Sequence, residues 1–103
     1  MINRDLPVTI DSTALTVICE RYNVERLALF GSVLRDDFTP ESDIDVLVEF
    51  DPESHIGWEI VTLADELSTT FGRKVDLRTP MELSRHFRKY VLMSAAVVYA
   101  RAR

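Results

Sequence analysis

The sequence predicts one α/β (α+β) domain over residues 1–103, a small mixed β-sheet with helices packed on it. Three observations carry that expectation. Helical and strand-like apolar patterns alternate along the chain in the order α-β-β-α-β-α. A chain of 103 residues that is 47% hydrophobic can bury one core and is too short for two. With 3 Gly, 4 Pro and no repeat or linker, low-complexity, collagen-like and disordered classes are excluded.

The elements follow in order. Leu15, Ile18, Cys19 and Tyr22 recur at helical spacing behind Asp11 or Ser12, either of which suits an N-cap, so a first helix is expected over about 11–22. Leu27–Ala28–Leu29–Phe30 is a continuous apolar run that stops at Gly31, as a buried strand closed by a turn does. Ile44, Val46, Leu47 and Val48 make a second β-rich run with Asp43 and Asp45 at its start. A second helix is expected from near Gly57, with Ile60, Leu63, Ala64, Leu67 and Phe71 on one face and Gly72 as its stop. Lys74 to Arg78 reads as a third strand. Thr79, Pro80 and Glu82 combine a capping box with proline at the first helical position, so a third helix is expected there, with Leu83, Phe87, Tyr90, Val91 and Met93 as its apolar stripe.

Charge is unevenly placed. The net value is −5, which disfavours simple electrostatic binding to nucleic acid, and none is expected as a direct partner. Residues 36–53 hold eight acids and no Lys or Arg; from Arg73 onward eight basic residues face only Asp76 and Glu82. Two solvated faces of opposite sign is the plain reading, and an acidic cation site beside a basic strip for phosphates is the sharper one. No apolar run approaches the roughly 20 residues that span a bilayer. The segment MINRDLPVTIDS lacks the pattern of a signal peptide, so a cytoplasmic protein without membrane association is expected. The single cysteine, Cys19, forms no internal disulfide and is expected to be an inert core thiol in a reducing compartment.

The chemistry concentrates in residues 31–50. Asp43 and Asp45 lie two apart on a predicted strand and so share a face, with Cβ atoms about 6–7 Å apart. Two carboxylates on a rigid face suit a pair of Mg²⁺ ions about 3.5–4 Å apart, the arrangement used for in-line displacement at phosphorus. Two acids at a strand edge with no ligand is the alternative. Asp76, between Val75 and Leu77 on the next predicted strand, either points to solvent or adds a third carboxylate to the same site. Gly31 and Ser32 follow directly on a strand, where glycine lets backbone amides approach a phosphate and Ser32 adds a hydroxyl. Arg35 offers its fork of donors three residues later. A calcium loop fits worse, because Leu47 and Val48 stand where it needs an oxygen ligand and a glycine, and no P-loop pattern occurs.

Gly31–Ser32, ten residues, then Asp43–Ile44–Asp45 resembles the signature of the DNA polymerase β-like nucleotidyltransferase superfamily. LALFGSVLRDDFTPESDIDVLVEF is similar to its minimal nucleotidyltransferase (MNT) branch over roughly residues 12–100, with Arg35, Ser42 and Asp76 also matching. The resemblance implies the polymerase β-like nucleotidyltransferase fold. It implies two Mg²⁺ ions held by Asp43, Asp45 and Asp76 as catalytic and metal residues, and ATP held by Gly31, Ser32 and Arg35. It further implies an antitoxin that transfers AMP to a tyrosine of a HEPN-domain RNase toxin, its partner in a hetero-oligomer. Neutralisation by binding alone, and transfer to a small-molecule acceptor, are the alternatives. Elsewhere, His55 and His86 are expected at the surface, Trp58 as a packing residue at a helix start with a nucleobase stack or partner contact as the alternative, Tyr90 and Tyr99 in core or interface, and Arg85, Arg88 and Lys89 on a solvated face with contact to a partner or nucleotide as the alternative.

Overall fold

A computed structural model describes residues 8–35, 38–55 and 57–101. Helix α1 (Ser12–Arg21) is capped by Asp11, whose carboxylate accepts from the Ala14 amide at 3.1 Å. Strand β1 (Val24–Phe30) runs into a 3₁₀ turn over Gly31–Leu34. Strand β2 (Ile44–Phe50) precedes helix α2 (Glu59–Phe71), which Gly72 ends at φ 70°. Strand β3 (Val75–Arg78), a second 3₁₀ turn at Pro80–Glu82, helix α3 (Arg85–Ser94) and strand β4 (Ala96–Ala100) complete the order. None of the described helices is long and apolar enough to cross a membrane.

The sheet is mixed, in the order β3-β2-β1-β4. β1 is antiparallel to both β2 and β4, and β2 is parallel to β3. Alternation along the strands separates two faces. Leu27, Leu29, Ile44, Val46, Val48 and Val75 pack against Leu15, Ile18 and Cys19 of α1 and Leu63, Leu67 and Phe71 of α2. Each such side chain, fully buried, stabilises the fold by roughly 1.5–3 kcal/mol. The other face is covered far less: Phe30 and Leu47 form a small buried cluster with Leu83 and Val91, with Ala95 partly buried against it. That thinly covered face carries Asp45 and Asp76.

Several expectations are corrected. The capping box at Thr79 and Glu82 forms, but it opens only a single 3₁₀ turn. Leu83 then goes extended (φ −88°, ψ 145°) because burying it on Phe30 and Leu47 requires that path. Ser84 caps afresh, accepting from the Phe87 amide at 3.3 Å, and α3 starts at Arg85. Arg88 is not on a solvated face; it donates to the carbonyls of Pro80 (2.7 Å) and Leu83 (3.1 Å) and ties the two turns together. Second, β4 exists where no element was expected. Third, Trp58 does not pack at its helix start, being 89% exposed. Of the stripe predicted for α3, Leu83 and Val91 are buried while Phe87, Tyr90 and Met93 are not. His55 and His86 are exposed, Cys19 is buried, and Tyr99 lies partly buried against the main core.

Candidate active site

The site forms where β1 ends and β2 begins. Phe30 pairs with Asp45 across the antiparallel ladder, and the chain then turns at Gly31 with φ 77°. Two facts fix glycine at this position. The left-handed backbone disfavours any other residue. A Cβ here would also lie 2.2 Å from Oδ2 of Asp45, so the carboxylate rests directly on the glycine. Ser32 and Val33 follow in the 3₁₀ turn, and the Arg35 amide closes it on the Ser32 carbonyl at 2.9 Å.

The connection back to β2 is held from outside. Arg73 donates to the carbonyls of Thr39 (2.9 Å) and Ser42 (3.2 Å) and lies 4.4 Å over the Phe38 ring. Ser42 accepts from the Thr39 amide at 3.0 Å, making a tight turn just before Asp43. Asp36 and Asp37, counted in the acidic run, lie outside the described residues. Asp43 sits one residue before β2 rather than inside it.

Asp45 and Asp76 lie on the thinly covered face. Ile44 and Val46 belong to the main core, so Asp45 between them projects the other way. Parallel pairing sets Asp76 beside Asp45 in register. Burial, and then the charges of Asp76 and Asp43, push the Asp45 carboxyl above the usual aspartate range, with Arg35 and Arg78 opposing them. Two cations sit on the outer acids. Arg78 reaches Asp76 at 3.2 Å, and Lys74 lies 3.9 Å from Asp43. As they stand, no three His, Cys, Asp or Glu side chains among the described residues converge closely enough to grip a metal ion. Asp43 and Asp76 are both about half exposed.

On the other side of the turn, a cavity of about 200 Å³ opens between Gly31, Leu34 and Arg35 and the α3 residues Phe87, Tyr90 and Ser94. The rings of Phe87 and Tyr90 are stacked at 6.4 Å between centroids. Lys74, Arg78 and Arg73 were not singled out from sequence. Their signal was available as one basic residue on either side of Asp76 in a parallel partner strand.

A family model described as a nucleotidyltransferase domain matches residues 12–99. The chain belongs to this family. Among curated relatives, a candidate protein adenylyltransferase of Methanocaldococcus jannaschii is 42% identical over 64 residues, which take in 61% of this chain and 64% of that protein's length. Less than two thirds of that relative is therefore matched. The protein adenylyltransferase MntA of Thermococcus cleftensis is 30% identical over 79 residues, 77% of this chain and 79% of the relative. Among solved structures, a candidate minimal nucleotidyltransferase is 30% identical with a TM-score of 0.68, over 82% of this nucleotidyltransferase domain and 85% of the other chain. A toxin-antitoxin structure with AMP-PNP shares the fold at 18% identity and a TM-score of 0.68, over 89% of this chain and 75% of that one.

Proposed function

We propose that this domain is a Mg²⁺-dependent protein adenylyltransferase that acts as an antitoxin. It transfers AMP from ATP to a tyrosine hydroxyl of a HEPN-domain RNase, which joins it in a hetero-oligomer in the cytoplasm. The observation that carries the reading is the in-register pair Asp45 and Asp76, with the Asp45 carboxylate against Gly31 and Asp43 two residues before it. Relatives named as protein adenylyltransferases and the antitoxin structures that share the fold support the same class of reaction.

The donor set fits the cation. Hard Mg²⁺ takes carboxylate oxygens, and the charges of Asp76 and Asp43 bear on Asp45, a repulsion that a cation relieves. When bound, the ions neutralise the triphosphate and polarise the α-phosphorus. Asp43, Asp45 and Asp76 would hold them, with Lys74 and Arg78 giving way as the carboxylates turn inward. Gly31 and Ser32 present amide and hydroxyl donors to the triphosphate, and Arg35 supplies a guanidinium beside it. Asp76, at the strand edge, takes the proton of the attacking hydroxyl. The bond from that oxygen to the α-phosphorus forms, the bond from the α-phosphorus to the bridging oxygen breaks, and pyrophosphate leaves.

The test is intact-mass spectrometry of the HEPN-domain protein after incubation with this domain, Mg²⁺ and each nucleoside triphosphate in turn. The expected result is a gain of one or more AMP units with ATP alone, abolished by Asp45→Asn in a folded variant. A partner silenced by a stable complex with no mass gain would replace transfer with neutralisation by binding.

A further inference from the structure

Helix α3 buries a single residue and leaves several apolar side chains exposed. Only Val91 of its ten residues is buried. Met93 is 79% exposed, Tyr90 65%, Phe87 45% and Leu92 44%. A helix this short gains little from its own hydrogen bonds and is normally held by a buried face. Four exposed apolar residues on a helix with only one buried indicate further cover. Leu92 also lines a shallow groove on the open sheet face with Ala28, Leu47 and Val97, rimmed by the Arg26–Glu49 ion pair.

The charge of the helix is one-sided. No acid stands on α3, while Arg85 and Lys89 are exposed there. A two-fold pairing of α3 with a second copy would set these cations against their own images. RNA is opposed by the net charge of −5 and gains nothing from Leu92 and Met93. What fits is a protein surface with apolar side chains at its centre and carboxylates at its rim. Position supplies the rest. Phe87 and Tyr90 close the same cavity as Gly31 and Arg35, so a protein seated on α3 stands at the edge of the carboxylate site.

We propose that α3 and the adjoining sheet face dock the protein acceptor through an apolar, acid-rimmed surface on that acceptor. This rests on the reading that the acceptor is a protein. The acceptor then completes the packing of α3, and the same contact delivers its hydroxyl to the site.

The probe is the HEPN-domain protein, titrated against the full chain by calorimetry at two salt concentrations. Met93→Asp and Lys89→Glu change exposed side chains away from the carboxylates, and circular dichroism and ATP binding are expected to match the unmodified chain. Met93→Asp is expected to weaken acceptor binding at least tenfold. Lys89→Glu is expected to weaken it and flatten its salt dependence. Unchanged acceptor affinity in both variants would overturn the docking surface and leave the adenylyl-transfer reading standing. So would a self-dimer dispersed by Met93→Asp, or single-stranded RNA binding that only Lys89→Glu abolishes. If the unmodified chain neither binds nor modifies the acceptor, the protein-acceptor reading fails and the docking surface with it.

Discussion

Replacing Gly31 with alanine separates backbone strain from site geometry. The left-handed conformation at φ 77° costs an alanine about 1–2 kcal/mol. The stiffer unfolded chain returns about 0.4–1 kcal/mol of that. The net loss is about 1 kcal/mol, or a melting point lower by roughly 4–8 °C for a domain of this size. The second effect is local. The new Cβ would meet Asp45 Oδ2 at 2.2 Å, and ordinary contact begins at 3.4 Å, so the carboxylate must retreat by 3.4 − 2.2 = 1.2 Å. A displacement near 1 Å in a reacting constellation costs about 10²-fold in rate. Gly72 is the internal control. It has φ 70° and nothing within 4 Å of its added Cβ, so Gly72→Ala pays the backbone cost alone. Thermal melts and single-turnover AMP transfer on both variants are the assay. Both should melt lower by a similar amount, and only Gly31→Ala should lose about two orders of magnitude in rate. A Gly31→Ala rate within threefold of the unmodified chain, or an equal loss in Gly72→Ala, would refute the placement of Asp45 on Gly31 as the functional contact.

Two further outcomes follow from the electrostatics and burial. The Asp45 carboxyl is raised above 3.8 in the fold, so its stabilising contribution is complete below that value and is lost as pH rises through the folded pKa. In divalent-free buffer at pH 7, Asp45→Asn should therefore melt above the unmodified chain, with the gap closing as pH falls toward 3.8; added Mg²⁺ should raise only the unmodified chain, and a lower melting point for the variant at pH 7 would contradict the burial of Asp45 and its crowding by Asp76 and Asp43. Cys19 is fully buried and its thiol is pushed up to about 12 by burial and then by Glu20, so a thiol reagent should label it only as fast as the domain opens. Rapid labelling of folded protein would contradict the packing of α1 on α2.

Much of this architecture was legible because its elements are locally marked. Asp11, Gly31 and Gly72 each stand where backbone geometry demands a cap, a turn or a stop, and the run from Ile44 to Val48 can only be a strand between a polar loop and a helix. Asp45 and Asp76 fell on one site because β2 and β3 are parallel neighbours in register, which spacing alone does not fix. What escaped was non-local. Strand β4 follows Ser94 and Ala95 with no glycine or proline between helix and strand, and it pairs with β1 some seventy positions earlier. The start of α3 was misplaced because a sound capping box at Thr79 competes with the pull of Leu83 into a cluster built from β1 and β2. Lys74 and Arg78 look like ordinary strand-end charges until β3 is set beside the acids they meet.

The most direct measurement follows the phosphorus atoms. ATP labelled at the α-phosphate or at the γ-phosphate is mixed with the domain, Mg²⁺ and the HEPN-domain protein, and the label is traced. The α-label should appear on the acceptor and the γ-label in released pyrophosphate, both lost in Asp45→Asn. A γ-label on the acceptor would make the reaction phosphoryl transfer and contradict the nucleotidyl transfer derived from Gly31, Asp43, Asp45 and Asp76.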